Sequence, residues 1–231
     1  MKSYTETDSQ YICNITAPCF QNLSPQEMSL IQNSKTQVHF RKGDNLTKQG
    51  TFASYILFII SGLSKQYIEN STGKNFSISV LRPGEFVGLS SVFDKAIFQY
   101  TTTALTDCQA ALIEKDAIAS VMRQNGEFSF EILRKYCRQN TSLFETLNLV
   151  LSKQMNGRLA DTLIYLHKIK QEYPTIFQML SRKELAEFSG ITTESAVKLL
   201  KTFEKENIIR LSDKDIEILN MNNLLEISRL G

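Results

Sequence analysis

SRKELAEFSGITTESAVKLLKTFEKENIIRLSDKDIEI, residues 181–218, is the stretch that decides the architecture of the carboxy-terminal part. Ser181 followed three residues later by Glu184 is a capping box, in which the serine oxygen accepts from the third helical N–H and the glutamate reaches back to the serine N–H. Leu185, Ala186 and Phe188 give the short helix behind it an apolar face, and Ser189-Gly190 stops it, since glycine takes a left-handed conformation at a helix end without a Cβ clash. Thr192 caps a second helix that runs from Thr193 to about Glu206, with Ala196, Leu199, Leu200 and Phe203 facing inward. Two short helices across a glycine turn, with small Ala186 at their crossing, make a helix-turn-helix. Ile208-Ile209-Arg210-Leu211, the turn Ser212-Asp213-Lys214-Asp215 and Ile216-Glu217-Ile218 form a hairpin, the wing beside it.

A helix-turn-helix of this kind puts the first turns of its second helix into the major groove of double-stranded DNA, which directs Thr193, Glu194, Val197, Lys198 and Lys201 toward base edges and nearby phosphates. Glu194 has the chemistry to accept from a cytosine amino group, and Lys198 to donate to guanine. Ser181 and Thr192 stand at helix amino termini, where free N–H groups hold phosphates; Arg182 and Ser195 complete the candidate DNA-binding set. Charge does not strengthen the case, because the tail from Gln154 carries eleven basic and eleven acidic residues. A helical hairpin that only packs, or binds protein, stays open at this level.

Upstream the patterning differs. Ser24-Pro25-Gln26-Glu27 is another capping box and predicts a short helix. From Val38 to Ile113 the chain alternates short apolar runs with glycine turns: Val38 and Phe40, Tyr55 to Ile60, Leu63 to Ile68, Phe76 to Leu81 and Thr101 to Ile113 read as strands, and Gly43-Asp44, Gln49-Gly50, Ser61-Gly62 and Pro83-Gly84 as turns. Short, regularly spaced strands predict a small roll or barrel.

Beyond Lys115 the period becomes helical. Phe130, Leu133, Cys137, Asn140, Phe144, Leu147 and Leu151 recur at spacings of three and four, a heptad seam along one helix of about seven turns, over about residues 127–153. Ile132, Tyr136, Leu143 and Val150 lie on an adjoining face that packs on the roll, which leaves the seam for a second copy of the chain. The predicted assembly is a symmetric homodimer, with one thick buried stripe inside a monomer as the alternative. Gln154-Met155-Asn156-Gly157 reads as a hinge, followed by a helix from Arg158 to Lys170 with Leu159, Leu163 and Leu166 on one face. The fold class is therefore α+β: a jelly-roll-like double-stranded β-roll with a long dimerisation helix over 1–153, and a winged helix-turn-helix domain over 154–231.

The 231 residues suffice for two domains, and a net charge of +2 excludes nothing. Cys13, Cys19, Cys108 and Cys137 lie far apart with no C-x-x-C pair, which fits reduced thiols in a cytoplasm. The longest apolar stretch, Tyr55 to Ile60, is far short of the roughly 20 residues of a membrane helix. His39 and His167, the only histidines, belong to different domains and cannot furnish a metal site of the kind β-roll enzymes use. No glycine-rich phosphate loop or nucleophile elbow occurs, so neither enzyme activity nor a cofactor is expected.

The chain resembles the Crp/Fnr regulators over about Phe20 to Arg229. The resemblance rests on Lys42-Gly43-Asp44, Gln49-Gly50, Phe58-Ile59-Ile60-Ser61-Gly62, Arg82-Pro83-Gly84-Glu85-Phe86-Val87-Gly88, Asn156-Gly157-Arg158-Leu159-Ala160 and Gly190-Ile191-Thr192-Thr193-Glu194-Ser195. It implies a dimer held by the long helix, RNA polymerase as a partner, and an effector pocket between roll and helix that repositions the DNA-binding domains. Gly88, Leu89, Ser90, Ser91, Phe98, Gln99, Tyr100, Leu143 and Phe144 fall at the pocket positions.

Here the chain departs from the cyclic-nucleotide members. Their ribose-binding glutamate aligns with Leu89, their phosphate-binding arginine and serine with Phe98 and Gln99, and their adenine-contacting hydroxyls with Leu143 and Phe144. Four polar contacts have become apolar, and no arginine occurs between Gly88 and Thr106. The expectation is a filled or apolar pocket that does not take cyclic AMP. On the second helix of the helix-turn-helix, Val197-Lys198 replaces the usual small residue and arginine, and lysine lacks the planar fork that grips guanine. Two rival effector chemistries stay open: a redox response through Cys13 and Cys19 or an iron-sulfur cluster, and a cyclic nucleotide held by different contacts.

Overall fold

The computed structural model describes residues 2–4, 18–71, 73–93 and 97–231. Cys13, expected as a redox candidate, lies outside the described residues. Two compact units form, one of 1–69 with 80–142, the other of 70–79 with 143–231.

In the first unit, Lys2–Tyr4 (β1) pairs with Lys35–Phe40 (β2), which is joined through Cys108–Glu114 (β9) to Tyr55–Ser61 (β4) and Phe86–Val87 (β7). A second sheet takes the order Asn45–Thr47 (β3), Thr101–Ala104 (β8), Ser64–Glu69 (β5) and Asn75–Leu81 (β6). All the register pairs determined in these two sheets are antiparallel. This is the expected β-roll, and glycine makes its corners. Gly62 has φ +84°, and a Cβ there would lie 2.3 Å from the Asp107 carbonyl oxygen, so the corner admits no side chain.

The expected single strand from Thr101 to Ile113 is two strands, β8 and β9, in different sheets. The chain turns at 105–107, where Thr106 Oγ1 accepts the Leu63 N–H at 2.9 Å and Leu63 O accepts the Leu105 N–H at 2.8 Å. A corner made by a long-range contact leaves no glycine or proline in the local sequence.

Pro25–Asn33 (α1) starts at the Ser24–Glu27 capping box, with both reciprocal bonds formed. Ser90–Phe93 (α2) is one turn, and Lys115–Gln124 (α3) precedes Gly126–Ser152 (α4), a helix of 27 residues. One core cluster gathers Phe20, Phe58, Phe86 and Phe128 with Ile132 of α4, and Tyr136 packs against it. The Phe20 ring stands edge-on to Phe58, centroids 5.6 Å apart.

The stripe expected to pack along the roll is shorter than predicted. Ile132 and Tyr136 join the roll core, but Leu143 is 37 % exposed. Val150 Cγ2 lies 3.7 Å from where a Gly190 Cβ would be, inside the second unit. Helix α4 is about 40 Å long at 1.5 Å per residue, and its residues up to 142 count with the first unit and those from 143 with the second.

In the second unit Met155–Lys170 (α5) follows α4 after a break at Lys153-Gln154, where Gln154 is extended at φ −75°, ψ 171°. The hinge expected over residues 154–157 is thus confined to its first residue; Met155, Asn156 and Gly157 already form the opening turn of α5. Gly157 belongs there because a Cβ would lie 2.9 Å from the Gly231 backbone. Ile176–Met179 (α6), Arg182–Ser189 (α7), Thr193–Lys205 (α8), the hairpin Ile209–Ser212 (β10) and Asp215–Ile218 (β11), and Met221–Leu230 (α9) complete the unit. Leu159, Leu163 and Leu166 of α5 are fully buried. Of the four inward positions expected on α8, Ala196, Leu200 and Phe203 are buried and Leu199 is half-buried. Helices α6 and α9 were not among the expected elements, although Asn220, whose side chain accepts the Asn223 N–H, is an N-cap signal for α9.

Candidate nucleic-acid interface and effector site

Helices α7 and α8 meet as a helix-turn-helix. Ser181 Oγ accepts the Glu184 N–H at 3.2 Å, and Glu184 Oε2 accepts the Ser181 N–H at 2.7 Å. Gly190 ends α7 at φ 60°, ψ 38°, the left-handed conformation its position requires. Thr192 Oγ1 accepts the Ser195 N–H at 3.2 Å and opens α8. Thr162 of α5 and Ser189 of α7 are buried and joined, Ser189 Oγ to Thr162 Oγ1 at 2.9 Å, which fixes α7 on its support.

Along α8, Glu194, Lys198 and Lys201 are exposed, while Thr193, Ser195 and Val197 are half-buried; Ser181 and Thr192 are exposed at the caps. A backbone N–H bond, the Thr192 hydroxyl and the nearby Lys198 together hold the Glu194 carboxyl below the usual carboxylate range, so it is an ionised acceptor at neutral pH. Arg182 differs from the others. It is half-buried, its Nη2 donates to the Asp213 carbonyl oxygen in the wing turn at 3.4 Å, and burial lowers its pKa against the opposing pull of Glu204.

The wing is fixed at its base, where Lys170 Nζ contacts both Asp215 carboxylate oxygens at 2.9 Å and donates to the Ile216 carbonyl at 3.2 Å. Arg210 and Glu217, across the strands, pair at 2.8 Å. Lys214 is exposed at the tip beside Asp213, which has φ 51°. Sequence reasoning overlooked Lys170 and Lys214; a lysine in a two-residue hairpin turn was the available signal for the second.

The first-unit residues expected to line an effector pocket make contacts within the protein. Gly88 has φ +84°, and the Phe98 ring edge lies 2.7 Å from where its Cβ would be. Its N–H donates to the Tyr100 hydroxyl at 3.0 Å, and its carbonyl accepts from Ser91 Oγ at 2.7 Å. Leu89 is 1 % exposed in the phenylalanine core, Ser90 is half-buried, and Phe98 is buried in a second cluster with Val38, Leu57 and Ala104. Tyr100 is also bonded to Gln66, and burial raises its phenol pKa. Gln99 is exposed with its amide on the Ile97 carbonyl. Leu143 and Phe144 belong to the second unit and are exposed. A contact not foreseen ties α4 to the turn before Gly88: Lys135 Nζ donates to Gly84 O at 3.1 Å and Gln139 Nε2 to Phe86 O at 2.9 Å.

The seam residues Phe130, Leu133, Cys137, Phe144, Leu147 and Leu151 are all exposed, Asn140 half so. On the single chain this largely apolar row is open to water. Among the described residues no group of His, Cys, Asp and Glu could hold a metal ion, and no helix is long and apolar enough to cross a membrane. Cys19 and Cys108 are buried, which pushes each thiol up to about 11.

Residues 37–125 match the cyclic nucleotide-binding domain and residues 157–227 the Crp-like helix-turn-helix domain. A CRP-like cAMP-activated global transcriptional regulator of Mycobacterium tuberculosis is 24 % identical over 220 residues, covering 92 % of this chain and 97 % of that protein. The probable transcriptional regulator flp of Lacticaseibacillus casei is 23 % identical over 215 residues, 92 % and 96 % of the two chains. In fold, the chain is similar to a putative transcriptional regulator of the crp/fnr family from Eubacterium rectale, with TM-score 0.77, 18 % identity, and 92 % and 98 % of the two chains covered.

Proposed function

From the premise that this chain belongs to the Crp/Fnr family of DNA-binding transcription regulators, we propose that it binds a two-fold DNA site as a homodimer in the cytoplasm, under control of an effector other than cyclic AMP. The observation that carries the DNA reading is the capped α8 with Glu194, Lys198 and Lys201 exposed on its first turns. Thr193, Ser195 and Val197 border these groups, the caps at Ser181 and Thr192 face phosphates, and Arg182 acts on the wing. The functional boundary falls at 153/154, where α4 gives way to α5. The open seam of α4 supports the dimer. RNA polymerase is the further partner, and no catalytic role is assigned.

The mycobacterial relative is named as cAMP-activated. For this chain a cyclic phosphate would need a cation and free N–H donors to replace its hydration. Phe98 stands at the expected cation position, and the Gly88 N–H is taken by Tyr100. The redox alternative gains no support from Cys19, whose buried thiol stays protonated at neutral pH.

Fluorescence anisotropy against a randomised duplex pool, followed by the selected site and a scrambled one, tests the DNA reading. Selection of a two-fold sequence with half-sites about one helical turn apart is expected. Equal affinity for every duplex would refute it.

A further inference from the structure

The junction between α4 and α5 is held by side chains from three parts of the second unit. Lys153, the first residue after α4, pairs with Asp161 of α5, its Nζ lying 2.6 Å from Asp161 Oδ2. Ser228 of α9 bonds both partners: its hydroxyl donates to Asp161 Oδ1 at 2.5 Å and accepts from Lys153 Nζ at 3.1 Å. The two charged side chains are each 23 % exposed and Ser228 is buried, so water competes little for these bonds. A part-buried ion pair completed by a hydroxyl has a defined geometry, and opening it strands a charge.

The helices themselves form without this clasp. Helix α5 opens at Gln154, whose carbonyl accepts the Arg158 N–H at 3.0 Å, and α9 is anchored on α5 with Leu224 fully buried. What the clasp adds is a fixed direction of α5 and α9 against the end of α4. That direction passes on to the DNA-reading helices, because Thr162, next to Asp161, accepts the Ser189 hydroxyl of α7 at 2.9 Å, and α7 leads through Gly190 into α8. We propose that Lys153, Asp161 and Ser228 are positioning residues for DNA binding, holding α8 in one orientation on the end of α4 so that a dimer brings both reading helices onto one site together. This rests on the dimeric, DNA-binding reading above, and it gives α9 a part in recognition through Ser228. A protein that grips two half-sites gains from the second grip in proportion to the effective concentration of the second reading helix there, and a loosened connection lowers that concentration.

The test compares the two-fold duplex selected by the full-length parent protein with the same duplex carrying one scrambled half-site. Affinity for the two-fold duplex should fall roughly tenfold in Asp161→Asn and roughly threefold in Ser228→Ala, the milder change that leaves the ion pair in place, while affinity for the one-sided duplex stays within about twofold. In the free proteins the amides of Lys153 and Arg158, which donate to the Leu149 and Gln154 carbonyls, should exchange faster in both variants than in the parent. An unchanged ratio between the two duplexes in both variants overturns the proposal. An equal loss on both duplexes also overturns it, since a clasp that only stabilises the fold acts on the two alike. Unchanged amide exchange in both variants removes the clasp whatever the duplexes show. A parent that selects no duplex refutes the regulator reading itself, and the positioning role with it, even where the variants exchange faster.

Discussion

The Tyr100 hydroxyl accepts the Gly88 backbone N–H at 3.0 Å. With the Phe98 ring against the same glycine, it takes up, on the reading proposed above, the donor and the space that an anionic ligand would use. Titration calorimetry with cyclic AMP and cyclic GMP should therefore give no saturable heat at micromolar concentrations. A micromolar dissociation constant for either would show that these contacts yield. Tyr100→Phe should cost about 1–3 kcal/mol of stability, the penalty for leaving a part-buried N–H unpaired, read from urea unfolding.

Stability should decline on the alkaline side. Burial raises the thiols of Cys19 and Cys108 from 9.0 to about 11, and a folded pKa above the unfolded one favours the native state fully below pH 9. That contribution is lost as the unfolded chain deprotonates first, between pH 9 and 11. Cys108→Ala should show a shallower loss of stability across this window than the parent protein, and an equal slope would show that Cys108 does not titrate on unfolding.

Lys198→Ala should reduce discrimination between the selected and scrambled duplexes by roughly 1–3 kcal/mol if the lysine reads a base. Ser181→Ala and Thr192→Ala should each destabilise the domain by about 1 kcal/mol through loss of a cap, and should weaken binding to all duplexes alike. A selective loss in the cap variants would assign them to base recognition instead.

Leu147→Glu sets a charge on each side of the proposed two-fold seam, and sedimentation should report a monomer where the parent protein is a dimer at micromolar concentration. Cys137, exposed on the same face of the single chain, should then alkylate faster in the variant than in the parent. Equal rates, or a parent that sediments as a monomer, would remove the seam from the assembly.

Local chemistry was readable in the sequence wherever an element announces itself within four residues. The Ser24–Glu27 and Ser181–Glu184 boxes and the Gly190 stop appear in the structure as expected. The short strands β1, β3 and β7 carry two or three residues each, too few to show a period. The break between β8 and β9 depends on Leu63, some forty positions upstream, and so left no local trace. The same holds at the candidate sites. The exposure of Lys198 follows from helical periodicity, whereas the turn of Arg182 toward Asp213 and the capping of Gly88 by Tyr100 are made by chain segments that meet only after folding.

Arg158 gives the second unit a property that no single helix has. Its Nε donates to the Lys153 carbonyl at 2.8 Å and its Nη1 to the Gly190 carbonyl at 3.4 Å, so one rigid guanidinium plane spans the end of α4 and the bend between α7 and α8. Any movement of the end of α4 against that bend has to stretch or break one of these two hydrogen bonds. On the dimer reading proposed above, Arg158 is the residue, remote from any base, at which a change in the accepted half-site spacing is expected first.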